Sequence, residues 1–172
     1  MQLRLAQLED LSDILAIYES AIQLLAKKGS TQWQDGYGPQ KEELIQHIQQ
    51  SELYLLVEEN YIAALATLQT GIDPCYTAIE GKWQGRNQPY LSIHRLAVSP
   101  KYYRKGYAKK LLQALILQGK LMGYCDFRID THALNMGMKK VILASGFTYC
   151  GVVTFPIPDG ERLAYQFYDG LD

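Results

Sequence analysis

Two hydrophobic periods alternate along this chain. Apolar residues at every second position mark strands, and apolar residues three or four apart mark helices. Leu3 and Leu5 predict a short strand over residues 2–6. Leu11, Ile14, Leu15, Tyr18, Ile22 and Leu25 predict a helix over 9–28, stopped by Gly29. Leu44, Ile45 and Ile48 predict a second helix over 40–50, with Pro39 near its start. Residues 53–58 and 61–69 are two strands joined around Glu59-Asn60, a hairpin signal.

The stretch LSIHRLAVSPKYYRKGYAKKLL, residues 91–112, organises the rest. Residues 91–98 alternate as a strand. Ser99-Pro100 ends it, because a residue before proline avoids the helical region and proline cannot donate to a ladder. A basic glycine turn follows, Arg104-Lys105-Gly106-Tyr107-Ala108-Lys109. Then Ala108, Leu111, Leu112, Leu115, Gly119 and Met122 repeat at helical spacing, with Gly123 as the cap. Further on, the pattern predicts a strand over 126–131, a helix over 134–144, a strand over 147–155, and a turn at Pro158-Asp159-Gly160. A last strand carries Leu163, Tyr165 and Phe167. This order implies an α/β (α+β) fold: a mixed, mostly antiparallel central sheet flanked by helices, with one parallel splay in the middle. The 172 residues suit one domain over 1–172.

Two connections carry aromatic residues. Residues 30–39 hold Trp33 and Tyr37, which either plug the core or wall an acceptor-substrate pocket. Residues 71–89 are long for a structureless connection and hold Tyr76, Ile79, Trp83 and Arg86. They read as a second substrate wall or as a contact in a homodimer.

Composition narrows the partners. Hydrophobic residues make up 48% and charged residues 20%, and the net charge is −1, so nothing points to nucleic acid or an anionic membrane. No run approaches a membrane span, and the start of the chain lacks a signal peptide's apolar core. Three cysteines, Cys75, Cys125 and Cys150, form no C-x-x-C pair, which suits a reducing cytoplasm and argues against a disulfide framework or a metal site.

The basic glycine turn sits where a helix offers unpaired N–H donors and a positive dipole end, a place for phosphate. The same pattern also fits a plain solvated turn. G-x-x-x-x-G-K-[ST] and G-x-G-x-x-G are both absent here, which excludes the common nucleotide loops.

Val98-Ser99-Pro100, Arg104 to Ala108, Asn135 and Gly146-Phe147, at their spacings, resemble the GNAT acyl-CoA-dependent N-acetyltransferases. That family's [Q/R]-x-x-G-x-[G/A] signature matches at Gly106 and Ala108; its first position is Tyr103, with the arginine one place later. The resemblance implies acetyl-CoA as co-substrate, held by Arg104, Lys105, Gly106, Tyr107, Ala108 and Lys109. It also implies a pantetheine contact from Asn135 and oxyanion donors in the backbone of Leu96, Ala97 and Val98. The family's strand glutamate falls near Ser92, and its acidic tyrosine falls at Ile142, so both usual groups are missing.

Two histidines are left as candidate bases. His94 shares a strand face with Ser92 by alternation, and His132 follows Asp130 at the end of the next strand. Asp130 could orient His132 or cap the following helix. Cys125 and Cys150 lie in apolar strands, so direct transfer without an acyl-enzyme is expected. The expected function is acetyl transfer from acetyl-CoA to a primary amine of a small molecule or peptide. The alternative is a non-catalytic acyl-CoA-binding module.

Overall fold

The structure is a computed structural model that describes residues 1–85 and 89–170; Arg86 of the long connection lies outside the described residues. Every predicted strand and helix is present, within about two residues of its expected ends. The strands are β1 (Gln2–Leu5), β2 (Leu53–Glu58), β3 (Tyr61–Gln69), β4 (Glu80–Gly81), β5 (Leu91–Val98), β6 (Asp126–Thr131), β7 (Thr148–Thr154) and β8 (Glu161–Tyr168). The helices are α1 (Leu11–Lys27), α2 (Lys41–Gln49), α3 (Pro74–Thr77), α4 (Tyr107–Leu121) and α5 (Met136–Ala144). Helix α3 and strand β4 fall inside the 71–89 connection, where the pattern predicts no element. The strands form one mixed sheet in the order β1-β2-β3-β5-β6-β8-β7-β4, and β5–β6 is its parallel pair.

The chain divides into two compact units, Met1–Leu68 with Arg95–Leu111, and Gln69–His94 with Leu112–Asp172. In the first, β1, β2 and β3 run antiparallel. Their core gathers Ile14, Ile17 and Tyr18 from α1, Leu44 and Ile48 from α2, and Leu53, Leu55, Ile62 and Leu65 from the strands. Helix α1 begins at Leu11 rather than at Glu9. A 3₁₀ turn, Leu8–Asp10, precedes it, and Asp10 accepts from the Gln7 N–H at 2.8 Å and from both Arg4 guanidinium nitrogens.

In the second unit, β6 and β7 both pair antiparallel with β8, and β4 pairs with β7. The parallel rungs of β5 and β6 are Leu91↔Phe127, Ser92↔Arg128 and Ile93↔Ile129. Helix α4 comes down on this unit at Gly119, where an added Cβ would lie 2.2 Å from the Phe127 ring and 2.6 Å from Leu91. Only a residue without a side chain allows that approach. No helix among the described residues is long and apolar enough to cross a membrane.

Candidate active site

His94 is the last residue of β5 within the second unit, one step beyond the Ile93↔Ile129 rung. That register brings Asp130 of β6 to it. The His94 Nε2 lies 2.9 Å from Asp73 Oδ2, and its Nδ1 lies 3.5 Å from Asp130 Oδ2. Asp73 is fixed by its own backbone. It N-caps α3 by accepting from the Cys75 N–H at 2.8 Å, and its N–H donates to the Tyr90 hydroxyl at 2.7 Å. Asp130 is fixed by the Tyr76 hydroxyl, which donates to its Oδ2 at 2.7 Å.

Aromatic rings enclose this cluster. The Tyr76 ring lies 5.6 Å from the imidazole, and Phe155 meets it edge-on at 6.4 Å. Trp83 packs on Tyr76 at 5.4 Å and donates from Nε1 to the Tyr76 carbonyl at 3.0 Å. The Arg128 guanidinium lies over the rings of Tyr90 and Trp83, at 3.8 and 4.4 Å, while pairing with Asp126 at 2.8 Å. Gln84 is tied to Gln166 by two hydrogen bonds of 2.6 and 3.1 Å. The described part of the long connection is therefore clamped to its unit.

Burial and charge oppose each other at His94. Burial disfavours the imidazolium, but hydrogen bonding and charge from Asp130 and Asp73 outweigh it and raise the pKa from 6.5 to about 9. Burial pushes the Asp73 carboxyl up; the His94 hydrogen bond and charge, with the Cys75 N–H, pull it further down, so it stays ionised. Burial and then Asp130 hold the Tyr76 hydroxyl protonated. At neutral pH His94 is thus an imidazolium paired with the ionised Asp73.

His132 has different partners. The Leu134 N–H donates to its Nδ1 at 3.2 Å, so the proton sits on Nε2, which donates to Asp159 at 2.9 Å. Both ring nitrogens are engaged in holding the β6–α5 connection and the turn before β8. Of the two roles open to Asp130, orienting His132 or capping the next helix, the structure shows neither: its carboxyl group meets Tyr76 and His94. Ser92 is buried on β5 opposite Arg128.

The next residue, Arg95, has φ +56° inside a continuous strand. A left-handed residue there interrupts strict alternation. Beyond Arg95, Leu96 and Val98 cannot be placed on the face of Ser92 and His94 by counting in twos. The first unit holds this conformation in place. The Tyr18 hydroxyl donates to the Arg95 carbonyl at 2.8 Å. The Arg95 guanidinium donates to His47 Nε2 at 2.9 Å and pairs with Glu43 at 3.0 Å, and His47 Nδ1 lies 2.7 Å from Glu52. No local residue pattern announces this conformation.

The predicted coenzyme turn lies in the first unit, at the start of α4. Gly106 has φ +79°, and a Cβ built on it would meet nothing within 4 Å. Arg104 is also left-handed, at φ +60°. Lys101, Lys105 and Lys110 lie over the rings of Tyr61, Tyr102 and Tyr107. An open glycine turn edged by cations fits a pyrophosphate. Leu96, Ala97 and Val98 lie in the same unit, with Ala97 in its core. Asn135 lies in the second unit, where its side chain caps α5 by accepting from the Met138 N–H at 3.2 Å.

The aromatic candidates separate. Trp33 packs edge-on against Tyr18 at 5.8 Å beside the first unit's core, and Tyr37 is half-exposed. Tyr76 and Trp83 belong to the His94 surroundings. Ile142 is fully buried, so no acid arises at that position.

The family model of the Acetyltransferase (GNAT) family matches residues 18–147. The chain belongs to the GNAT acetyltransferase family. It is similar to the ribosomal protein bS18-alanine N-acetyltransferase of Haemophilus ducreyi (strain 35000HP / ATCC 700724), at 30% identity over 107 residues, 61% of this chain. That alignment spans 63% of the relative's own length. Among solved structures, a GNAT-family acetyltransferase from Streptococcus agalactiae 2603 shares 36% identity at a TM-score of 0.85, over 99% of this chain and 96% of that one. A GNAT-family acetyltransferase from Listeria monocytogenes 4b F2365 shares the fold, at 21% identity and a TM-score of 0.76, over 98% of this chain and 94% of that one. In GNAT terms, the mixed sheet, the glycine turn opening α4 and the β5–β6 parallel pair are the family's frame.

Proposed function

We propose that this GNAT protein transfers an acetyl group from acetyl-CoA directly to a primary amine of a small molecule or a peptide, with His94 as the base. The observation that carries this reading is the placement of His94. It sits between the carboxyl groups of Asp73 and Asp130 and lies two residues before Leu96 in sequence, where the family resemblance assigns the backbone of Leu96, Ala97 and Val98 to the thioester. The Haemophilus ducreyi relative, named for acetylating an alanine of a ribosomal protein, supports the peptide end of that substrate range.

Acetyl-CoA supplies the activated thioester. The N–H groups at the start of α4, with Arg104 and Lys105, hold its pyrophosphate. His94 removes the proton that keeps the acceptor amine from attacking. An alkylammonium has a pKa near about 10 and a peptide α-amino group near about 8. An imidazole with a pKa raised to about 9 exchanges a proton with either at little cost. Burial, Asp73 and Asp130 raise the Cys75 thiol pKa, and burial leads the rise at Cys150, so neither is a ready thiolate. That favours direct transfer. With Ile142 in the acid's usual place, the leaving thiolate takes its proton from solvent.

The test is steady-state kinetics of His94→Ala with acetyl-CoA and an amine panel. The expected result is a kcat about 100-fold lower or worse, with unchanged acetyl-CoA affinity by calorimetry. A near-normal kcat between pH 7 and 9 would remove His94 from the mechanism.

A further inference from the structure

We propose that Arg128 is the positioning residue of the His94 cluster: its guanidinium holds the Tyr90 and Trp83 rings, and through them the two carboxyl groups that flank His94. The catalytic consequence rests on His94 being the base; the placement of its neighbours does not. Asp126, Arg128 and Asp130 alternate along β6 and so share one face. Arg128 and Asp126 are both buried. Asp126 accepts from Arg128 Nη2 at 2.8 Å, from its Nε at 3.3 Å, and from Gln166 Nε2 at 2.8 Å. Gln166 stands across from Arg128 in the β6–β8 ladder. A buried ion pair contributes little net stability, because desolvating both charges costs about as much as their attraction gains. What this pair fixes is position. It holds the guanidinium over two rings, Tyr90 at 3.8 Å and Trp83 at 4.4 Å.

Each ring leads to one side of His94. The Tyr90 hydroxyl accepts the Asp73 N–H at 2.7 Å, and Asp73 Oδ2 lies 2.9 Å from His94 Nε2. Trp83 Nε1 donates to the Tyr76 carbonyl at 3.0 Å, and the Tyr76 hydroxyl donates to Asp130 at 2.7 Å. Asp130 Oδ2 lies 3.5 Å from His94 Nδ1. Asp73 caps α3 and Tyr76 lies within it, and a helix of four residues is not stable by itself. Its place is imposed by its neighbours, and Arg128 stands behind both routes. The D-x-R-x-D spacing of residues 126–130 thus works as one device: Asp126 holds Arg128, Arg128 holds the rings, and the rings hold the partners of His94.

The charged and titratable groups around His94 include Asp73, Cys75 and Tyr76 from the connection and Asp130 from β6, with Arg162 of β8 acting on Asp130. Those around Arg128 include Asp126, Tyr90 and, on β7, Cys150. Burial opposes the charged imidazole, and hydrogen bonds and charge from Asp130 and Asp73 raise its pKa to about 9. The ring's titration therefore reports where the two carboxyl groups stand. Loss of the Arg128 cation at fixed geometry would leave more negative charge near the ring and raise its midpoint. A fall requires carboxyl groups that have moved away.

Arg128→Met tests this by NMR titration of the His94 ring in the enzyme without substrate, the signal being assigned by its loss in His94→Ala. The midpoint is expected to fall by about one pH unit or more. The kcat should fall by about tenfold or more, with acetyl-CoA affinity unchanged in calorimetry, since the glycine turn belongs to the other unit. Methionine leaves Asp126 buried without its cation, so Arg128→Lys is measured beside it; lysine keeps the charge but not the forked, planar contact. A smaller fall of the same sign is expected there. If Arg128→Met does not fold, Arg128→Lys decides alone. The proposal is overturned if no folded variant lowers the midpoint; Arg128 is then only the counter-ion of Asp126. If the midpoint falls while His94→Ala keeps a near-normal kcat, Arg128 still positions the cluster and the base assignment is what fails.

Discussion

The two candidate histidines differ in the groups that surround them. His94 stands between the carboxyl groups of Asp73 and Asp130, whereas His132 accepts a backbone N–H and donates to Asp159. The rate limb should accordingly rise through about 9 rather than near the unshifted value of 6.5. His94→Ala should flatten it, as kcat measured across pH 6–10 would show. His132→Ala should act on stability instead. It removes the acceptor of the Leu134 N–H and a buried side chain, a cost of roughly 1–3 kcal/mol in urea unfolding. Its turnover per folded molecule should stay near normal; a 100-fold loss would return His132 to the chemistry. A triple serine variant of Cys75, Cys125 and Cys150 should also keep its turnover, and a trapped acetyl-cysteine would refute direct transfer. Both histidines stand out in the sequence, since there are only three in the chain. Their carboxylates do not. Asp73 lies 21 residues before His94 and is delivered by a helix too short to show a period.

At the scale of elements, β5 and α4 do most of the positioning, and two glycines show how. At Gly119 an added Cβ would collide with Phe127 and Leu91. Gly119→Ala should destabilise by about 1–3 kcal/mol through overpacking, read as a lower denaturant midpoint. Gly106 faces open space, so its substitution meets only the backbone penalty of a positive φ. Gly106→Val should leave a folded protein whose acetyl-CoA affinity falls strongly in calorimetry; unchanged affinity would place the coenzyme elsewhere. The strand itself was legible, but its inner geometry was not. Arg95 turns left-handed because Tyr18, 77 residues away, and His47, 48 residues away, hold its carbonyl and guanidinium. Alternation, which counts only local positions, carries no trace of that.

Across the whole molecule, the His94 cluster ties stability to pH. The folded pKa of His94 is raised from 6.5 to about 9, so the folded state binds this proton more tightly than the unfolded chain does. Its contribution, on the order of 3 kcal/mol, is fully present below about pH 6.5 and is lost as pH rises through about 9. Asp73 works the other way. Its folded pKa is lowered from 3.8, so its contribution is present above that value and is lost on acidification through the lower folded one. Melting temperatures across pH 6–10 should fall towards the alkaline end, and His94→Gln should flatten that decline; a parallel decline in both proteins would refute the link. By itself the sequence determined the kind and order of the elements outside the 71–89 connection, the mixed sheet and the basic glycine turn. Hydrophobic period, glycine and proline act within a few residues, and distant contacts changed only the conformation at Arg95 within these elements. Only the tertiary structure decided which histidine stands between carboxylates, and that Asp130 serves His94 and not His132. Those outcomes depend on the Ile93↔Ile129 register and on a four-residue helix in a long connection, contacts that exist only once the strands are paired.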